Sequence, residues 1–456
     1  MPTPTIRSIH AALAAAVVLA APLGAPLGAQ IAPTPTRITF ADAVSLGLTQ
    51  SVIVRQARNA ASLQAATERQ QKLQFLPSLS FNVSGANDVG RNFSQAEGTV
   101  TNQATQSLST GISSTATLFD GFRNVASLRQ ARLGGDATEQ DLSRARQTAA
   151  FTVASNFLAI VTQQEQLRVQ DENLAALVAQ EAQIRTLVDA GTRPISDLYQ
   201  QQASVAASRL AVVDARRALE LAKVDLMQTL QLDATTTYDF VPPAIGDLTA
   251  HAYDLDSLVA RALVRRADLG AQQSRVEAAT QGVKAAQAGR LPSVSLTAGY
   301  NTGFSTANAL GFSQQLDQRR GGSVGIGISI PLFDRGATSL AAERAQIETD
   351  DAERTLASQR QDIALQVRRA FLDYQSARER LAAAEVQRKA AEQAATVTQQ
   401  RYQLGAATLV EVAQARASQV QAASAAVSAR YDVVFQQALM SYYTGDLDPT
   451  RVSLGV

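Results

Sequence analysis

Cysteine is absent from the 456-residue chain, which excludes disulfides, thiolate metal sites and a lipid anchor on an N-terminal Cys. Tryptophan is absent too, and aromatics make up 5% of a composition that is 46% hydrophobic, so small and aliphatic residues carry the apolar share. Such residues suit closely packed helices better than a thick globular core. Histidine is scarce: His10 falls in an export segment, leaving His251, so a His-rich metal site is excluded and histidine catalysis would rest on one residue. Neither sign of charge dominates, with 41 basic and 40 acidic residues, which removes the electrostatic case for nucleic acid. Beyond residue 30 there is no run of about eighteen uncharged apolar residues, so any membrane crossing has to be made of strands.

What is present begins with Arg7, an apolar run from Ala11 to Ala21 and a small-residue stretch ending at Ala29. A basic start, an apolar stretch too short to span a bilayer and a cleavage zone predict a secretory signal peptide over 1–29. A short N-terminal segment, 30–40, follows it.

An internal repeat sets the organisation. Leu76-Pro77-Ser78-Leu79-Ser80 returns 215 residues later as Leu291-Pro292-Ser293-Val294-Ser295. Leu118-Phe119-Asp120 returns as Leu332-Phe333-Asp334, and Phe157-Leu158 as Phe371-Leu372, both at 214. Gly191 with Asp197 returns at the same offset as Gly405 with Glu411. Matches in one order at one spacing predict a tandem duplication, 41–232 and 256–445, joined by a linker over 233–255 and followed by a tail over 446–456.

Each copy carries the same succession of signals. Proline-free stretches rich in Ala, Gln and Arg predict helices over 41–75 and 256–290, each ended by a Leu-Pro that forces extended backbone. The apolar period then drops to two, predicting strands over 77–88, 107–119, 292–302 and 322–333. One face of these strands collects Leu79, Phe81, Val83, Leu108, Ile112, Val294, Leu296, Tyr300, Val324, Ile326 and Ile328; the other collects Ser, Asn and Gly. The polar stretches between them, about Val89 to Gln106 and Gly303 to Gly322, are expected to be long loops. An apolar face against a polar one over about ten residues is the pattern of a membrane barrel, and those eleven residues are the expected lipid-facing positions. Four strands cannot close a barrel, so several chains must combine. A trimer would supply twelve strands and leave a lumen; a dimer would supply eight and largely fill it.

Long helices are expected over 121–189 and 336–403, reaching roughly 100 Å at 1.5 Å per residue. Returning helices are expected over 196–232 and 409–443. Leu198, Val205, Val212, Leu219 and Leu226 stand seven apart, with Gln201, Ser208, Ala215 and Ala222 three residues after the first four. That is a coiled-coil seam, which core packing explains without a ligand groove.

Catalytic motifs do not hold up. Gly321-Gly322-Ser323-Val324-Gly325 satisfies G-x-S-x-G, but a strand follows the Ser and His251 precedes it, whereas a nucleophile elbow needs a helix after the Ser and a later His. Paired carboxylates such as Asp350-Asp351 fit solvated helix faces. No phosphate loop, dinucleotide fingerprint or calcium loop occurs, so neither a cofactor nor a metal is expected and the chain is not read as an enzyme.

The turns between long and returning helices, 190–195 and 404–408, are alike in the two copies. Gly191 and Gly405 suit a left-handed helix end, and Ser196 or Thr408 is positioned to cap the next helix beside a carboxylate. With export signal, duplication, two hairpins and these two tips, the chain resembles the TolC-like outer-membrane efflux protein family over essentially its whole mature length. Arg401-Tyr402-Gln403-Leu404-Gly405 followed by Glu411-Val412 is similar to that family's second tip. The resemblance implies a mainly α fold with a small membrane β part: a homotrimer with a 12-stranded barrel in the outer membrane above a helical coiled-coil barrel in the periplasm. It implies docking of a periplasmic adaptor at Gly191, Thr192, Pro194, Gly405, Ala406 and Thr408, with an inner-membrane transporter behind it. It places a periplasmic aperture at Arg193, Asp197, Glu411 and Gln414. Members with a well-described gate carry Asp where Glu411 stands, a basic residue at Ala407 and a further Asp at Gln414, so the charges that hold this aperture shut differ. The alternative is a periplasmic coiled-coil adaptor or scaffold, which would need one hairpin flanked by β-domains. Cargo is not written in a wide passive duct.

Overall fold

The computed structural model describes residues 36–94, 98–241 and 252–449. The expected signal peptide, the centre of the linker with His251, and the last seven residues of the tail lie outside the described residues.

In chain order the elements are β1 (Thr36–Thr39), α1 (Phe40–Gln50), α2 (Val52–Leu73), β2 (Ser78–Ser94), β3 (Thr99–Phe119), α3 (Arg123–Asp189), α4 (Ile195–Leu230) and β4 (Tyr238–Val241). The second half runs α5 (Leu255–Arg265), α6 (Ala267–Gln287), β5 (Ser293–Ser305), α7 (Phe312–Gln318), β6 (Gly321–Ser329), α8 (Ala337–Gln403) and α9 (Leu409–Thr444). The two long helices each have 67 residues and the two returning helices 36. At 1.5 Å per residue a 67-residue helix is about 100 Å long. Among the described residues no helix is apolar enough to cross a membrane.

The repeated Leu-Phe-Asp acquires a physical role here. Asp120 accepts a hydrogen bond from the Asn124 backbone N–H at 2.9 Å, and Asp334 one from Thr338 at 2.8 Å. Each long helix starts after a residue with positive φ, Phe122 at 69° and Gly336 at 80°, and these carboxylates each satisfy one of its free donors.

Four strands form one antiparallel sheet in the order β2-β3-β5-β6. Opposed residues of antiparallel strands share a face. Phe81 faces Ile112, Ile112 faces Tyr300, and Leu296 faces Ile326, so all eleven apolar positions expected to share a face do so. The opposite face carries rows such as Asn82, Gly111, Asn301 and Gly321, with Ser80–Ser113 and Ser84–Ser109 hydroxyl pairs at 2.8 and 2.7 Å.

Several expectations need correction. The stretch expected as a loop from Val89 to Gln106 is largely strand, because β2 and β3 stay in register through Ser94–Thr99. Backbone pairing carries the ladder on where Gly and Asn blur the side-chain pattern. The 303–322 loop contains α7, anchored by Gln315, which is fully buried and whose amide donates to the carbonyls of Ser305 and Leu310. β6 stops at Ser329, short of the expected 333. A bulge between Thr117 and Phe119 places Phe119, not Leu118, opposite Val294, so the alternation of the strand expected over 107–119 breaks near its end.

The helices expected over 41–75 and 256–290 are each broken in two, at Ser51 and at Arg266, where ψ swings to 132° and 118°. No proline or glycine marks either break; the backbone of Arg265 and Arg266 packs against Gly445 at the end of α9. The N-terminal segment and linker also hold unexpected strands: β1 and β4 pair in parallel beside α1. Four residues each, they are too short to show a period.

Two apolar cores lie at the middle of the long helices. In one, Phe157 of α3 meets Phe40 and Phe240 edge-on, with Leu226 and Leu230 of α4 around them. In the other, Leu258 of α5 and Tyr374 of α8 pack with Met440 of α9. The buried residues between cores are largely Ala and Val, which lets the helices approach closely.

Candidate functional site

The structure brings the two helical tips together. Ile184 of α3, Tyr402 of α8, and Leu409 and Val412 of α9 form a small buried cluster, with Val188, Leu198 and Ala407 packed against it. This cluster fastens the first hairpin to the second at their far end from the sheet.

Each tip ends its long helix in the same way. Gly191 and Gly405 have φ of 71° and 76°, and the following N–H groups of Thr192 and Ala406 donate back to Leu187 and Arg401 at 2.9 and 2.8 Å. This left-handed stop favours glycine, which adopts it without strain. The helices that follow begin differently. Thr408 caps α9 in a reciprocal box: its hydroxyl accepts from Glu411 N–H at 3.2 Å, and Glu411 carboxylate accepts from Thr408 N–H at 2.6 Å. Those donors hold the Glu411 carboxyl below its usual range, the Thr408 backbone N–H contributing most. In the first tip Ser196 does not cap, contrary to expectation. Pro194 occupies the cap position with no side-chain bond, its φ of −73° preset for the turn, and the helix opens one residue early at Ile195.

The residues assigned to the aperture separate into two groups. Arg193 and Asp197 of the first tip both meet Tyr402 of the second. The Arg193 guanidinium lies 4.3 Å from the ring centroid and donates to the Tyr402 carbonyl at 2.9 Å. The Tyr402 hydroxyl is 3.5 Å from the Asp197 carboxylate, at the limit of a hydrogen bond. Burial pushes the Tyr402 phenol above its usual value, with Arg193 opposing and Asp197 reinforcing. Glu411 is engaged with Thr408, and Gln414 is exposed one turn further on.

Tyr402 is the residue that sequence reasoning missed. It stands beside the expected tip, in a helix filled with Gln and Arg, yet is only 4% exposed. A lone aromatic one turn before the stop glycine was the available signal. Beside it, Leu404 of the second tip, Ile195 and Tyr199 of the first, and Val410 of α9 are all more than half exposed. The tips thus offer apolar side chains to solvent around two rigid glycine turns. At the opposite end, eight of the eleven expected lipid-facing residues are exposed, and Leu108, Val294 and Leu296 are half-buried.

Among the described residues no three His, Asp or Glu side chains converge as a metal site would require. Nothing at the tips resembles a nucleophile with its base.

The profile of the outer membrane efflux protein family matches twice, over residues 45–230 and 258–445. Outer membrane efflux protein BepC of Brucella suis is 24% identical over 349 residues, covering 76% of this chain and 74% of that protein. Pyoverdine export outer membrane protein OpmQ of Pseudomonas putida is 27% identical over 300 residues, 63% of this chain and 59% of that one. Among solved structures, the outer membrane protein VceC of Vibrio cholerae superposes with a TM-score of 0.76 over 89% of this chain and 96% of its own, at 19% identity, which speaks for a shared fold.

Proposed function

The chain belongs to the outer membrane efflux protein family, and from that premise we propose that three copies form a passive exit duct. The sheet crosses the outer membrane and the helices continue it as a tunnel through the periplasm. The observation that carries this reading is the four-stranded sheet with β2 and β6 as open edges and apolar residues on one face. Inside a bilayer an unpaired edge is not tolerated, so β6 of one copy has to pair with β2 of the next. Three copies give twelve strands, and the Ser-, Asn- and Gly-rich face lines the lumen.

The remaining assignments follow from position. Leu79, Phe81, Val83, Leu108, Ile112, Val294, Leu296, Tyr300, Val324, Ile326 and Ile328 face outer-membrane lipid. The tips narrow the tunnel at rest. Arg193, Asp197, Glu411 and Gln414 border that aperture, with Arg193 latched onto Tyr402. A periplasmic adaptor docks on the glycine turns, touching Gly191, Thr192, Pro194, Gly405, Ala406 and Thr408, and links the duct to an inner-membrane transporter that supplies both energy and selection. BepC and OpmQ carry efflux and pyoverdine export in their names; the cargo here is set by whichever transporter docks.

Outer membranes extracted in mild detergent test the proposal. The protein is expected to migrate as a heat-sensitive trimer and to form channels in planar bilayers. A soluble monomer recovered without detergent would refute it.

A further inference from the structure

Between α3, α4 and α9, a few turns from the tips, lies a cavity of about 430 Å³ that neither the duct nor the docking tips account for. Its wall surface is mostly carbon, from Leu177, Val420, three alanines and the stems of the polar side chains around them, and it has no acidic lining residue. Three polar atoms buried around it have no hydrogen-bond partner in the protein: Asn173 Oδ1, Gln180 Nε2 and Ser424 Oγ. Gln180 is 7% exposed. Leaving such a group unmatched costs about 1–3 kcal/mol, so three around one cavity point to something that satisfies them.

Arg416 supplies the sign of the missing partner. It lines the same cavity, has no ion pair among the described residues, and its one side-chain hydrogen bond is a long 3.4 Å contact with the Gln419 amide oxygen. Burial alone pulls its guanidinium below the usual value. Helix periodicity explains how the groups converge: Asn173 and Gln180 are seven apart on α3, and Arg416 and Ser424 eight apart on α9.

We infer that this cavity is a binding site for a small organic anion, an apolar body bearing one carboxylate or similar group. Arg416 and Gln180 donate to the anionic end, the Ser424 hydroxyl donates beside them, Asn173 Oδ1, an acceptor, takes its hydrogen bond from a water carried in with the anion, and the aliphatic walls hold the body. The volume lies within the range of small-molecule sites, which pair mostly apolar walls with a few placed polar groups. It also exceeds what a bare halide would fill. The inference is independent of transport, because it concerns a site between helices of one chain.

Benzoate is a suitable probe, added to the assembled full-length protein in detergent and followed by saturation-transfer NMR and calorimetry. One saturable site per chain is expected, with benzylamine unable to compete. Arg416→Met keeps the stem but removes the charge and should weaken binding roughly tenfold or more. Gln180→Leu, which does not disturb the arginine, should weaken it several-fold and carries the test should the first variant fail to assemble. Absence of saturable binding overturns the inference, as does equal competition by benzylamine. Displacement by chloride at matched concentration would mean an adventitious ion only and would overturn it too. So would wild-type affinity in Gln180→Leu together with wild-type affinity in any assembled Arg416→Met.

Discussion

Removing the guanidinium of Arg193 should release the resting tips. Arg193 joins the first hairpin to the second through two contacts on one residue, the ring of Tyr402 at 4.3 Å and its carbonyl at 2.9 Å. A half-buried cation over an aromatic face contributes about 1 kcal/mol. A hydrogen bond from a charged donor adds about 1.5 kcal/mol. If both exist only while the tips are together, Arg193→Met shifts each chain's closed-to-open balance by about 2.5 kcal/mol, a little under two orders of magnitude. Single-channel recording in planar bilayers reads this directly, as longer open dwells and larger conductance. Tyr402→Phe is the informative companion. It keeps the ring and the carbonyl and loses only the 3.5 Å approach to Asp197, so its effect should be small. The reasoning is refuted if intact Arg193→Met trimers conduct like the parent while Tyr402→Phe trimers open.

Other consequences concern the body of the molecule. Arg266 is buried against Asp268, with two contacts of 2.6 and 3.0 Å, and Arg144 lies 4.0 Å from the same carboxylate. Asp268→Asn leaves Arg266 without its counter-charge and should cost about 3–5 kcal/mol, seen as a lower thermal midpoint. Burial raises the Asp268 carboxyl, but the Arg266 guanidinium, with Arg144 and the Leu269 N–H, more than offsets it, leaving a net depression. The pair's stabilisation is therefore present above the ordinary Asp value of 3.8 and lost as pH falls through the folded value below that, which acid titration of the midpoint checks. Phe157→Ala should cost about 3–5 kcal/mol because that ring is fully buried; Phe371→Ala, at the matching place in the second half but only half-buried, should cost less in the same melts. Ile326→Arg should lower the yield of outer-membrane trimer, at about 2–4 kcal/mol for a charge near mid-bilayer, whereas Ser323→Arg on the opposite face should assemble and alter conductance instead.

The fold's legibility varied with how local its causes are. The long helices and returning helices could be read nearly to the residue, since they are Ala-rich, proline-free stretches that in three of the four cases run up to a glycine and need no distant partner. The eleven-residue apolar face was legible because strand periodicity survives without knowledge of pairing. The hairpin beyond Val89 was not, since Gly, Asn and Thr there carry little alternation and the ladder with β3 decides the matter. The breaks at Ser51 and Arg266 and the β1–β4 pair were likewise hidden; in two of the three a segment far along the chain packs alongside, Gly445 against Arg266 and Tyr238–Val241 beside Thr36–Thr39.

At the tips the same division appears within a few residues. Gly191 and Gly405 declare a left-handed turn, and Thr408 with Glu411 declares a capping box, because those devices close on themselves. Nothing in the order of residues says that Arg193 reaches Tyr402, more than two hundred positions away, or that Arg416 faces a cavity with no acid in it. By itself, then, the sequence determined the periods: helix, strand, the duplication, and the four long strands with one apolar face. Only the tertiary structure decided the partners, because a charge or a buried polar group takes its meaning from what another segment places against it.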